Sequence, residues 1–159
     1  MRLYTLERRQ RIPAALEEVF GFFQAPENLA RITPPWLGFT ILTPPPVVMN
    51  EGALIDYSIR WFCLPVRWTT IITRYDPPHV FVDQQLNGPY SFWHHTHTFV
   101  AVDGETEMGD AVRYALPAHV LGRMTHALLI RRQLEGIFDY RAKTIRELFG
   151  GTGVGEAQR

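Results

Sequence analysis

The residues best placed to do chemistry cluster in one stretch of the chain. Phe81-Val82-Asp83-Gln84-Gln85 is followed, after one turn, by Trp93-His94-His95-Thr96-His97-Thr98-Phe99, and Asp110 comes one strand-length later. Successive side chains of a strand point to opposite faces. Trp93, His95, His97 and Phe99 therefore share one face, and Phe92, His94, Thr96 and Thr98 the other. Phe81, Asp83 and Gln85 form the corresponding set on the strand before; Met108, Asp110, Val112 and Tyr114 form it on the strand after. Asn87-Gly88-Pro89 reads as a turn that makes the first two strands a hairpin, so the Asp83 and His95/His97 sets can lie side by side.

Several chemistries are open to such a set. His-x-His on a strand can ligate a metal, with Asp83 or Asp110 as a third ligand. The spacing offers only two histidines on one face and no committed third ligand, so the expectation is no tightly bound metal and no other cofactor. The aspartates could work as general acid and base if burial raised their pKa. The plainer readings are that the imidazoles hydrogen-bond acidic and amide neighbours, or orient the polar end of a ligand, because buried polar groups must find partners. At least one of His95 and His97 is then expected to bond Asp83, Gln85 or Asp110. His94 is expected to face solvent. Were the faces reversed, the site would fall among Gln84, His94 and Arg113. Arg131 and Glu135 read as a solvated i,i+4 pair. Cys63, the single cysteine, reads as an inert buried thiol.

These residues need elements to position them. Leu3, Tyr4 and Leu6 begin a strand over 3–12. Pro13 opens a helix over 14–24, with Leu16, Val19, Phe20 and Phe23 at helical spacing. Residues 27–32 suggest a short second helix. From Trp36 to Ala115 β-branched and aromatic residues dominate, and strands are expected over 38–43, 51–62, 65–75, 79–87, 90–102 and 106–115. The connections are too short for parallel crossovers, so the strands form an antiparallel meander. Residues 119–149 hold no proline and a broad apolar stripe through Met124, Leu128, Leu134, Phe138 and Ile145. That long helix is the expected cover for the sheet, and a pocket is expected between them.

Lys+Arg and Asp+Glu are both 16, so the formal net charge is zero and the usual electrostatic motive for binding nucleic acid is missing. No apolar run is long enough for a membrane span, and the first residues lack the apolar core of a signal peptide. The expectation is a soluble cytoplasmic domain over 1–149 with a disordered tail over 150–159. Trp36, Pro44-Pro45-Pro46 and the apolar run 61–65 could frame a pocket mouth or a homodimer contact.

The motif F-V-D-x-Q, Gly88-Pro89-Tyr90, W-x-H-x-H-x-F and Asp110-Ala111-Val112-Arg113-Tyr114-Ala115-Leu116-Pro117 resembles the SRPBCC superfamily (START, birch-pollen-allergen and polyketide-cyclase-like domains), within it the bacterial ligand-binding subgroup. The resemblance spans about residues 2–149 and implies an α+β helix-grip fold: a seven-stranded curved antiparallel sheet around a long C-terminal helix, with two short helices after the first strand. It also implies binding of an apolar small molecule, although some members are enzymes. The expected ligand-binding residues are Tyr57, Trp68, Phe81, Asp83, Gln85, Trp93, His95, His97, Tyr114 and Leu128. Two alternatives stand beside this reading. One is a cyclase/dehydrase-like enzyme acting on a polyketide-type carbonyl substrate; the other is a partner-binding domain with a filled core.

Overall fold

The computed structural model describes residues 2–61, 64–117 and 123–150, excluding the side chains of 61 and 123–127. The expectations for Cys63, for the side chain of Met124 and for a tail after Gly150 lie outside the described residues.

The chain opens with strand β1 (Leu3–Ile12), and helix α1 (Leu16–Phe23) follows directly. Glu17 and Glu18 sit in the first turn of α1, where negative charge is favoured, and Leu16, Val19, Phe20 and Phe23 are buried along one face. Two 3₁₀ helices come next, Pro26–Ile32 and Pro35–Leu37, each opened by proline. Strands β2 (Thr40–Ile41), β3 (Leu54–Trp61), β4 (Leu64–Asp76), β5 (Val80–Asn87), β6 (Phe92–Val102) and β7 (Glu105–Ala115) follow, and helix α2 (Arg123–Gly150) closes the described chain. The expected strand 38–43 shrinks to two paired residues.

All seven strands form one antiparallel sheet in the order β1-β7-β6-β5-β4-β3-β2. Sequence neighbours are sheet neighbours except at β1, which returns to pair with β7 from Leu3↔Ala115 to Ile12↔Thr106. The fold is α+β, with α1, the 3₁₀ helices and α2 against the sheet. Two apolar clusters fill the interior. One joins α1 to Ile12, Phe81, Phe99, Met108, Ile145 and Phe149. The other joins Leu6, Trp68, Tyr90, Trp93, Val112 and Tyr114 to Ile130, Leu134 and Phe138.

Helix α2 covers the sheet as expected but in a different rotation. Its buried residues are Ile130, Leu134, Phe138, Arg141, Ile145 and Phe149, spaced by four or three and so aligned on one stripe. Leu128, expected on the inner face and among the ligand-binding residues, is 50% exposed. It lies about 200° round the helix from Ile130, since each residue advances about 100°. The Met124/Leu128 spacing mimics an inward stripe, but Ile130 takes the inward position.

Candidate functional site

The hairpin β5–β6 and its neighbour β7 bring the chemistry-bearing residues into register. Asp83 lies opposite His95, Phe81 opposite His97, and His97 opposite Asp110. Along β6 burial alternates residue by residue: Trp93, His95, His97 and Phe99 are buried, and their neighbours are not. The face assignment from sequence is therefore right. His95 and His97 are 5% and 4% exposed and lie between the two apolar clusters. Phe81 stacks on His97 with ring centroids 4.2 Å apart; Phe138 and Trp93 present edges to His95 at 5.6 and 6.2 Å.

The two imidazoles bridge the two carboxylates. His95 Nε2 is 2.8 Å from Asp110 Oδ1, and His97 Nε2 is 2.8 Å from Asp83 Oδ2. The second nitrogens reach across: His97 Nδ1 is 3.1 Å from Asp110 Oδ1, and His95 Nδ1 is 3.5 Å from Asp83 Oδ2. Arg141 of α2 completes the cluster, its Nη2 3.4 Å from Asp110 Oδ1. Its guanidinium also lies over the rings of Phe23 and Phe138 at 5.2 and 5.8 Å. The Nε of Arg141 has no hydrogen-bond partner among the described residues.

The proton inventory follows from these contacts. Burial lowers the pKa of His95, and the neighbouring His97 lowers it further, so His95 is neutral and donates from Nε2 to Asp110. Burial pushes His97 the same way, but its bonds to Asp110 and Asp83 prevail and raise it. His97 thus holds its proton more tightly than an ordinary histidine, and when protonated it donates from both nitrogens. Arg141, 3.4 Å from Nδ1, then has Asp110 as its acceptor instead. Burial would raise both carboxyls; Arg141 and the imidazoles outweigh it at Asp110, which is held well below the usual range, and the imidazoles do the same at Asp83. With His97 protonated, two carboxylates stand against Arg141 and one imidazolium, and the buried cluster is electrically neutral, the state its desolvation favours.

A cavity of about 190 Å³ lies between this cluster, the sheet, α2 and the first 3₁₀ helix. Tyr57, Trp68, Phe81, Asp83, Trp93, His95 and His97 line it. Thr70, Ile72 and Met49 add to the sheet and loop side; Gln133, Leu134, Ile137, Phe138 and Arg141 add the helix side. Tyr57 Oη is 3.4 Å from Thr70 Oγ1, and burial raises its pKa well above the ordinary value.

A curved antiparallel sheet gripping one long helix over such a cavity matches known structures. No family model and no curated protein matches the sequence. Among solved structures, protein Ms6760 from Mycobacterium smegmatis superposes with a TM-score of 0.71 at 17% identity, over 98% of this chain and 99% of that one. The Zhui aromatase/cyclase from Streptomyces sp. R1128 gives 0.67 at 16%, over 96% and 100%. Ara h 8.0201 gives 0.63 at 12%, over 92% and 99%. The chain has the helix-grip fold, shared with these structures. At these identities the likeness is one of fold.

Within this helix-grip fold three expected ligand-binding residues stand apart from the cavity wall. Leu128 is on the outer face of α2. Gln85 clasps the β5–β6 loop, its Nε2 donating to the Tyr90 carbonyl at 2.8 Å and its Oε1 accepting from the Tyr90 N–H at 3.3 Å. A Cβ at Gly88 would meet the Gln85 side-chain amide, so a larger residue there would displace this clasp. Tyr114 is buried but stacks on Tyr4, with centroids 5.5 Å apart, and packs into the second apolar cluster. Arg131 and Glu135 form the exposed pair expected of them, at 2.9 Å. His94 lies on the outer face of β6, parallel to Phe92. Arg141 escaped the sequence reading. Its only signal was a cation falling between Phe138 and Ile145 in the apolar stripe.

Proposed function

We propose that the cavity binds a compact apolar or aromatic molecule, with its polar end turned to the Asp83–His95–His97–Arg141 side. The observation that carries this reading is the composition of the wall. Aromatic and aliphatic side chains surround the space, and the buried polar groups gather on one side of it, the arrangement of a small-molecule site. An apolar cavity of about 150 Å³ accommodates benzene, so a space of about 190 Å³ suits a ligand of one or two rings. The cavity speaks against a domain whose interior is only filled core. Among the described residues no helix is long and apolar enough to cross a membrane.

The test is titration with the fluorescent apolar probe anilinonaphthalene sulfonate, followed by competition with naphthols and hydroxybenzoates. Saturable binding is expected, weakened at least about tenfold by Ile137→Trp, which fills the helix side of the space. Binding indifferent to that substitution would overturn the reading.

The enzyme alternative draws support from His95. It is a neutral imidazole on the cavity wall, with Asp110 bonded to its Nε2, the arrangement of an oriented general base. It is tested by deuterium exchange at the α-carbon of bound cyclic ketones. Exchange that disappears in His95→Gln supports it, and exchange at the solvent rate refutes it.

A further inference from the structure

We infer that Asp83, His95 and His97 form a binding site for one first-row divalent transition metal, zinc in the first place, opening into the cavity. Each of the three offers one ligand atom, and these lie within 4.8 Å of one another. The sequence argued against a metal because it showed no committed third ligand; the β5–β6 register supplies Asp83.

Three observations favour a metal centre. The first is convergence. His95 Nδ1 and His97 Nε2 both approach the same oxygen, Asp83 Oδ2, at 3.5 and 2.8 Å. With metal–ligand bonds of about 2.0–2.1 Å, tetrahedral donors sit about 3.3 Å apart. The first separation already fits, and the second needs to open by about half an ångström.

The second is the outer shell. Metal-bound histidines nearly always donate their other ring N–H to a carboxylate or carbonyl, which fixes the ring. Here one residue serves both: Asp110 Oδ1 is 2.8 Å from His95 Nε2 and 3.1 Å from His97 Nδ1. Arg141, 3.4 Å from that oxygen, compensates its charge without entering the ligand set.

The third is sidedness. Asp83, His95 and His97 line the cavity, and Asp110 does not. The donors face the space and the orienting carboxylate stands behind them, as in a site with three protein ligands and an open position. Two imidazoles and one carboxylate suit zinc, iron or nickel better than magnesium or calcium, which prefer all-oxygen sets.

The three protein ligands leave the fourth position open toward the cavity, where water, or a polar oxygen of the cavity's occupant, completes the coordination. In that last respect the inference rests on the ligand-binding reading; the metal site itself does not.

The test uses the full chain, with any affinity tag cleaved and metals removed by chelator. Zn²⁺ titration by calorimetry is expected to give one site per chain, and Co²⁺ to develop ligand-field absorption in the visible. His95→Gln and His97→Gln are expected to abolish both. Asp110→Asn is expected to keep the stoichiometry and weaken affinity about 10–100-fold. In wild type, where no variant can misfold, long-range ¹H–¹⁵N spectra are expected to show Zn²⁺ shifting His95 Nδ1 and His97 Nε2 and sparing their other nitrogens. No saturable Zn²⁺ binding, shifts confined to other histidines, or undiminished binding in both glutamine variants would overturn the inference. The fluorescent-probe titration is run on the same metal-free protein. Probe binding without zinc binding refutes the metal site alone, and zinc binding without probe binding refutes the ligand-binding reading alone.

Discussion

Arg141→Met is the substitution whose cost the structure best defines. The guanidinium is 7% exposed and 3.4 Å from Asp110 Oδ1. At that distance, and an effective dielectric constant of about 20, the gross attraction is about 5 kcal/mol. Methionine keeps much of the apolar stem that packs on Phe23 and Phe138, so lost packing contributes little. What remains is a buried Asp83/Asp110 pair compensated only by His97. Removing one partner of a buried ion pair costs about 3–5 kcal/mol, and that loss is expected in urea unfolding of the metal-free protein near neutral pH. The cost should shrink on acidification, because protonating Asp110 removes the charge that Arg141 compensates. Its stabilisation belongs above the ordinary carboxyl value of 3.8 and is lost as pH falls through the depressed one. Adding Asp110→Asn to Arg141→Met should restore more than about 1 kcal/mol, as expected for coupled neighbours. A single-variant loss below about 1 kcal/mol, or strictly additive losses in the pair, would refute the reasoning.

Three further outcomes are expected. Phe138→Ala should destabilise by about 3–5 kcal/mol and Leu128→Ala by less than about 0.5, compared by denaturant midpoint; similar losses would mean the rotation of α2 is wrong. Gln85→Ala should cost about 1–2 kcal/mol by releasing the Tyr90 backbone, yet leave fluorescent-probe affinity unchanged, and a large affinity loss would return Gln85 to the site. In metal-free protein the two histidines should tilt stability in opposite senses. The contribution of His97, raised above 6.5, is complete below that pH and fades as pH rises through its folded value; that of His95, lowered, is complete above 6.5 and fades as pH falls. His97→Gln should therefore cost more melting temperature near pH 6 than near pH 8.5, and His95→Gln the reverse; parallel profiles would contradict the assigned proton positions.

The legible parts of this protein are those governed by short periods. A two-residue alternation placed Trp93, His95 and His97 on one face, and a Pro/Gly turn placed Asp83 beside them. The misplacement of Leu128 has a physical source. The inward stripe of α2 runs through Arg141, a residue type that reads as surface, so the apolar residues nearby suggested a different phase. Gln85 shared the parity of Asp83, but strand parity does not reveal that a side chain will turn back to hold its own loop. Asp110 was legible as a partner of the histidines, whereas its contact with Arg141 depends on how helix and sheet dock, which no local pattern encodes.

The return of β1 to the far side of β7 has a consequence for how the chain is made. Ile12 finds its ladder partner only when Thr106 has been synthesised, and Leu3 only with Ala115. Until then the first strand has no neighbour, while β3, β4, β5 and β6 can already pair in order. Such distant pairing slows folding. The last compensating charge, Arg141, emerges later still, after both carboxylates and both imidazoles are in place. During translation the nascent sheet therefore holds a half-assembled ionic centre and an unpaired leading segment. Truncations that stop short of α2 are expected to accumulate as collapsed, protease-sensitive species, so α2 acts as the commitment step of biosynthesis.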